Sequence, residues 1–216
     1  MKNSLVPINR IPPEVFSLIP DCYENRTDRH LLALTHVCQR WRDIFTSRAS
    51  LWTQLDFANA DKTRTYIRRS QSYPLKFRFG YDEVLRDAFT PVIPHIHRLE
   101  CLTISAYALP SILTHFHCHA PLLEKLDIRI FSHEDPVLDD ALFNSNLSRL
   151  RDLHLRGVFS RLSWKNLANL QVVDLYSSCR GYRTTQLLDF FESAPLPHTV
   201  SLMCSTADSS DRKSVV

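Results

Sequence analysis

Apolar residues recur at two periods along this chain, and the change from one to the other falls near residue 52. Before it the spacing is helical. Pro12-Pro13-Glu14 suits the opening turn of a helix, where proline's missing N–H is not needed and a glutamate complements the positive end of the dipole. Val15, Phe16, Ile19 and Tyr23 follow at helical spacing, and Pro20 is expected to kink or shorten that segment. Residues 25–28 read as a polar turn, in which Thr27 or Asp28 is placed to cap a second helix carrying Leu31, Leu32 and Leu34. A third helix sets Val37, Cys38, Trp41, Ile44 and Phe45 on one stripe and turns Gln39, Arg40, Arg42 and Asp43 away. Three short helices with this much apolar surface cannot hide it all on one another. Something else has to cover the remainder.

From Leu51 onward a repeat takes over. Leu99-x-x-Leu102-x-Ile104, Leu123-x-x-Leu126-x-Ile128, Leu150-x-x-Leu153-x-Leu155 and Leu170-x-x-Val173-x-Leu175 share one template, their middle residues 24, 27 and 20 positions apart. Weaker copies stand at residues 52–57 and 75–79, and another at Val200-Ser201-Leu202. The alternation inside each unit is a strand signal. Between the units lie helical patterns at residues 62–70, at Val84, Leu85, Ala88 and Phe89, at Ile112, Leu113 and Phe116, and at Leu138, Ala141 and Leu142. A last one, at Leu187, Leu188 and Phe191, follows a Thr184 or Thr185 cap. Units this short, with few glycines, do not make the nucleotide-binding loops of a doubly wound domain. The expected fold is mixed α/β, a helical front followed by a stack in which each strand joins one parallel sheet and each helix shields its outer side.

Composition narrows the function classes. The chain has 216 residues, 44% of them hydrophobic, which allows one elongated or two small domains. A net charge of +3 is too mild to argue for nucleic acid. Residues 1–7 lack the apolar core of a signal peptide and no run approaches bilayer length, so no membrane association and a cytoplasmic or nuclear location are expected. The six cysteines lie far apart with no C-x-x-C pair and read as reduced thiols serving as small hydrophobes.

Several residues of the front segment carry a family resemblance. Ile11-Pro12 and Glu14 followed by Ile19, the Val37-Cys38-x-x-Trp41 step, and Leu51-Trp52 about ten residues later together resemble the F-box motif, with isoleucine standing where the family usually has leucine before the proline. The resemblance implies a three-helix domain that docks on a Skp-type adaptor and, through it, a cullin scaffold and a ubiquitin-conjugating enzyme. It also implies that Pro12, Val15, Ile19, Leu31, Leu34, Val37 and Trp41 contact the adaptor or support that contact. Core packing is the competing explanation for the aliphatic members of that set. The later units, residues 120–128 above all, resemble the irregular leucine-rich repeats found behind F-boxes in fungal proteins, although Tyr107, Phe131, Val158 and Ser178 stand where those repeats usually carry asparagine or cysteine.

The expected organisation is a flexible N-terminus at 1–6, an F-box-like domain at 7–52, a leucine-rich-repeat-like solenoid at 53–204 with fewer repeats than usual for such a family, and a disordered tail at 205–216. Thr103, Asp127, His154 and Asp174, between inward apolar residues, are the candidates for an exposed target-binding surface. The function this implies is the substrate-recognition subunit of a cullin-based ubiquitin ligase. A repeat scaffold acting outside any ligase, and a truncated inactive member of the family, are the alternatives.

Catalytic chemistry is not expected. His115, His117, Cys118 and His119, with His95, His97 and Cys101 upstream, are the one cluster that invites a metal. Zinc needs three or four ligands converging at about 2.0–2.3 Å, which neighbouring residues on one helix cannot supply. A histidine-metal hydrolase is therefore the weakest of the readings, and neither cofactor nor metal is expected. Cys38, on an apolar stripe, reads as an inert thiol. The basic stretch of Lys62, Arg64, Arg68 and Arg69 around Tyr66 reads as the outer face of a repeat helix, with phosphate binding as the competing reading.

Overall fold

The computed structural model of the protein describes residues 7–16, 18–22, 28–56, 60–80, 89–107, 111–132, 135–139, 141–162, 167–177, 182–194 and 197–204. The expected flexible N-terminus and tail, and the helix expected at Val84, Leu85 and Ala88, lie outside those residues.

Proline chemistry shapes the front of the chain. Helix α1 (Pro13–Phe16) is a single turn closed by the Phe16 N–H on the Pro12 carbonyl at 2.9 Å. A 3-10 turn at Ile19–Cys22 follows, since Pro20 has no N–H with which to continue an α-helix. Helices α2 (Asp28–Thr35) and α3 (Gln39–Ser47) pack on each other, and a 3-10 turn at Ala49–Trp52 leads into the sheet. The third helix begins later than its hydrophobic pattern implies. Cys38 is extended and only flanks α3, accepting the Arg42 N–H at 3.0 Å, and Val37 sits in the turn before it. Both leave the stripe, which is made by Trp41, Ile44 and Phe45.

Seven strands form one sheet in sequence order: β1 (Gln54–Asp56), β2 (Leu75–Phe79), β3 (Leu99–Ala106), β4 (Lys125–Ile130), β5 (Asp152–Arg156), β6 (Val172–Ser177) and β7 (Thr199–Cys204). Every neighbouring pair is parallel. Parallel neighbours require a crossover between them, which is why a connecting segment separates each pair of strands. The repeat template supplies the register: Leu102, Leu126, Leu153 and Val173 are successive partners, as are Ile104, Ile128, Leu155 and Leu175. All eight are fully buried.

The unit is longer than its sequence template. Ahead of each first leucine the chain makes the same turn, with the N–H groups of Leu99, Leu123, Leu150 and Leu170 on the carbonyls of Ile96, Ala120, Leu147 and Leu167. Those four acceptor residues are themselves buried. One position past Leu123, Leu150 and Leu170, and again just ahead of β7, the backbone N–H reaches the preceding unit: Glu124 to Glu100, Arg151 to Glu124, Gln171 to Arg151 and His198 to Gln171, at 2.7–2.8 Å. Backbone bonds therefore tie successive turns together.

Behind the sheet the connections are mostly tighter than α-helices. Only α4 (Ala60–Arg69) and α5 (Thr184–Ser193) are α-helical among the described connections; residues Thr90–Arg98, Ser111–Phe116 and Leu142–Ser145 are 3-10 turns. The helices expected at 112–116 and 138–142 are thus corrected to short turns. In the last of them Phe143, Asn144 and Ser145 have φ near +50°, a region asparagine tolerates but no α-helix uses. The cap of α5 is also displaced: Arg183 flanks the helix, its N–H donating to Gln186 Oε1 at 3.0 Å, and Thr184 is already helical. Phe77, Phe89, Phe116 and Phe143 form a buried row through this layer with successive ring centroids 5.3, 5.4 and 5.5 Å apart. Buried apolar residues join into one cluster that runs from Phe16 to Ala194. Among the described residues no helix is long and apolar enough to cross a membrane.

Among the described residues, Gly157 is the position where a unit turn demands glycine. Its φ is +63°, its N–H donates to Tyr176 O at 2.8 Å, and an added Cβ would stand 2.0 Å from the Ile130 carbonyl oxygen. Gly157→Ala should therefore force β4 and β5 apart at their ends and cost about 2–3 kcal/mol. A lower urea midpoint at unchanged slope checks this, and an unchanged midpoint refutes it.

Candidate functional site

Packing of α1, α2 and α3 decides which apolar side chains are left for a partner. Phe16 is buried against Trp41 and Phe45, with ring centroids at 4.5 and 5.4 Å, and Trp41 lies 5.9 Å from Phe45. Leu31 and Leu34 point into the same core and are buried. Arg40 donates from Nη2 to the Ile11 carbonyl at 2.9 Å, and Arg42 from Nε to the Thr35 carbonyl at 3.1 Å, so the polar side of α3 also ties the bundle together.

The seven adaptor-contact candidates consequently divide. Leu31 and Leu34 lie inside the chain, where a partner cannot touch them, and their place is in support. Ile19 and Trp41 are half-buried on the core. Pro12 is exposed. Val15 is 55% and Val37 57% exposed. Three further apolar residues, Ile8, Leu18 and Leu32, are also exposed. Leu32 follows Leu31 by one residue, about 100° around the helix, so one of the two has to face outward when the other is buried. Five exposed aliphatic side chains thus fall within residues 8–37, on elements too short to bury both faces.

The second set of candidates lies on the opposite side of the sheet from the apolar core. Thr103, Asp127, His154 and Asp174 are successive register partners in one row, flanked by Arg78 on β2 and Ser201 on β7. They are not, however, equally open. Asp127 is only 3% exposed, because Arg129 folds back from the same strand and grips it with both arms, Nε–Oδ1 at 2.9 Å and Nη2–Oδ2 at 2.8 Å. Asp174 is mostly covered in the same way by Arg156, whose Nε donates at 2.9 Å and whose Nη2 also bonds Oδ2, with His154 Nδ1 at 3.5 Å on the other side. The expectation of exposed aspartates is corrected: Arg129 two residues along the same strand from Asp127, and Arg156 diagonally across from Asp174 on the neighbouring strand, share the aspartates' face and lie down over them. The next row along the strands is more open: Arg129, Arg156, Tyr176 and Met203 are register partners there, and Tyr176 and Met203 are exposed. Beyond the strand ends Tyr107 and Phe131 are exposed with rings 6.4 Å apart. Arginine beside exposed aromatic and methionine side chains is a composition typical of protein contact sites. The sequence signal was present in the positions two after Asp127, His154 and Asp174.

Among the described residues no group of three or more histidine, cysteine and acidic side chains is arranged to hold a metal ion. His117 does have an acidic partner, Asp139, at 2.9 Å, while His115 lies near the Phe89 ring at 6.1 Å. Cys22, Cys38, Cys101 and Cys118 are free thiols, and burial pushes Cys101 and Cys118 above the usual thiol pKa. Cys38 is half-buried at the start of α3. In the basic stretch, Arg69 stacks over the Trp52 ring at 4.2 Å and Lys62 over Tyr66 at 5.5 Å, so these two cations pack on the core they flank.

Compared with known proteins, residues 8–58 match the family model of F-box-like domains, about a quarter of the chain. No curated protein and no solved structure matches it. The matched segment contains α1, α2, α3 and β1, and all five of the exposed aliphatic residues described above.

Proposed function

We propose that this chain is a substrate-receptor subunit of a cullin-based ubiquitin ligase, working in the cytoplasm or nucleus. F-box-like domains in general bind Skp-type adaptors, and the observation that carries the proposal is the exposed aliphatic set of Ile8, Val15, Leu18, Leu32 and Val37 inside the matched segment. An adaptor laid over these residues would remove from water the surface that α1, α2 and α3 leave uncovered, the usual driving force of such an interface. Phe16, Leu31, Leu34, Trp41 and Phe45 then act beneath that surface, holding its shape.

The parallel array is read here as an irregular leucine-rich-repeat solenoid, and its polar face, led by Arg129, Arg156, Tyr176 and Met203, as the place where a target protein is held. No group in this chain has to do chemistry. Fixing a target beside a charged conjugating enzyme converts a bimolecular encounter into an intramolecular one and raises the effective concentration of the target's lysines. Catalysis belongs to the enzyme brought in by the cullin.

Co-expression with a Skp-type adaptor tests this. The expected result is a stable equimolar complex by size-exclusion chromatography to which a cullin adds. Absence of any complex would overturn the proposal. Adaptor binding that excludes cullin would instead favour the scaffold that works outside a ligase.

A further inference from the structure

The two segments that flank β2 border an open, basic concavity that the adaptor and target surfaces do not use. Its walls come from the C-terminal half of α4 and from the 3-10 turn Thr90–Arg98, and its lining is Arg64, Ile67, Arg68, Gln71, Pro91, His95 and Arg98. Four of these side chains are basic and none is a carboxylate. The volume is about 380 Å³, within the range of sites that take small ligands.

Arg98 is the group whose placement needs explaining. The residue is 8% exposed, and its guanidinium donates only to neutral oxygens: Tyr73 O from Nε at 3.2 Å and from Nη2 at 2.7 Å, and Ser70 Oγ at 2.9 Å. No carboxylate among the described residues pairs with it. A buried charge is normally paired, because hydrogen bonds to neutral acceptors return only part of the lost hydration. The negative end of the α4 dipole favours one cation at this place. It does not account for four basic side chains converging there. Arg64 reaches Asp61 at 2.8 Å, but that pair is largely exposed and free to reorient. Arg68 is exposed and no carboxylate among the described residues holds it. With Nε and Nη2 engaged, Arg98 gives the pocket one fixed guanidinium whose Nη1 is left to donate, and two exposed arginines and an imidazole stand beside it.

We propose that this concavity binds a phosphate monoester dianion, with Arg98 as the fixed donor, Arg64 and Arg68 closing over the oxygens and Gln71 adding an amide donor. Planar guanidinium forks match the oxygens of a phosphate, and the volume leaves room for the group that carries it. The proposal does not rest on adaptor binding. His95 provides a reporter: burial first, then the Arg98 and His97 charges, hold its pKa below the usual histidine value. A bound dianion opposes those two charges, so phosphate should raise it.

The test uses the full chain and follows the His95 ring protons by NMR, assigned with His95→Gln, during titration with inorganic phosphate, glycerol phosphate, a short phosphoserine peptide and the same peptide unphosphorylated. Saturable shifts with the phosphorylated probes, absent with the unphosphorylated peptide, are expected. Arg68→Glu, at an exposed site on α4, should weaken binding about tenfold or more, as loss of a charged hydrogen bond does. Arg64→Glu serves as a second variant. Tighter binding of the phosphopeptide than of glycerol phosphate places the phosphate on a protein, equal binding places it on a small molecule, and either result supports the pocket. No saturable His95 shift at millimolar phosphate, or titrations of both variants that match wild type, would overturn it.

Discussion

Replacing Trp52 by alanine is expected to leave the chain largely unfolded. The indole is fully buried, meets the Tyr66 ring edge-on at 4.9 Å and carries the Arg69 guanidinium on its face at 4.2 Å. Its Nε1–H donates to the Phe45 carbonyl at 3.0 Å. The residue thus joins the end of α3 to α4, just ahead of the first strand. Truncating a buried tryptophan costs about 3–5 kcal/mol, and stranding the Phe45 carbonyl adds about 1–3 kcal/mol. Against a domain stability of about 5–15 kcal/mol this is a large share. Trp52→Phe keeps most of the packing and loses the hydrogen bond, so an intermediate loss is expected. Urea unfolding followed by circular dichroism measures both, and a loss below about 1 kcal/mol for the alanine variant would contradict this account of the junction.

The largest functional effect is expected from Val37→Asp. Val37 lies in the turn between α2 and α3 and is 57% exposed, so the substitution should change stability by no more than about 0.5 kcal/mol. In the proposed complex the same carboxylate would be trapped in an apolar contact. Burying an uncompensated polar group costs about 2 kcal/mol or more, which converts to a loss in adaptor affinity of about 30-fold or greater. Val200→Asp on β7 is the matching control, since Val200 is also exposed but lies outside the segment that matches F-box-like domains. Calorimetric titration of the adaptor should separate the two variants clearly. Equal affinity for wild type and Val37→Asp would remove Val37 from the docking surface.

Much of the sheet was legible because its signal is local. A strand buried on one face alternates with period two, and the Leu-x-x-Leu-x-Ile template places Leu102, Ile104 and their counterparts on that face without reference to anything distant. The turn residues Ile96, Ala120, Leu147 and Leu167 carry the same regularity three positions earlier. They were hidden only because a short apolar residue before a leucine is common. The connections were less readable: apolar pairs such as Leu113 and Phe116 satisfy a helical period and a 3-10 turn equally well, and the length available between strands chooses between them.

The candidate sites divide along the same line. Sequence by itself determined that the front segment carries surplus apolar surface, that a repeat of parallel strands follows, and which face of each strand is greasy. All of these depend on residue type and spacing. It could not decide that Leu31 turns inward while Leu32 and Val37 stay in water, that Arg129 and Arg156 lie over Asp127 and Asp174, or that Arg64, Arg68, His95 and Arg98 converge. Those outcomes depend on which segments meet across tens of residues. A side chain's exposure is a property of its neighbours in space, and only the packed chain supplies them.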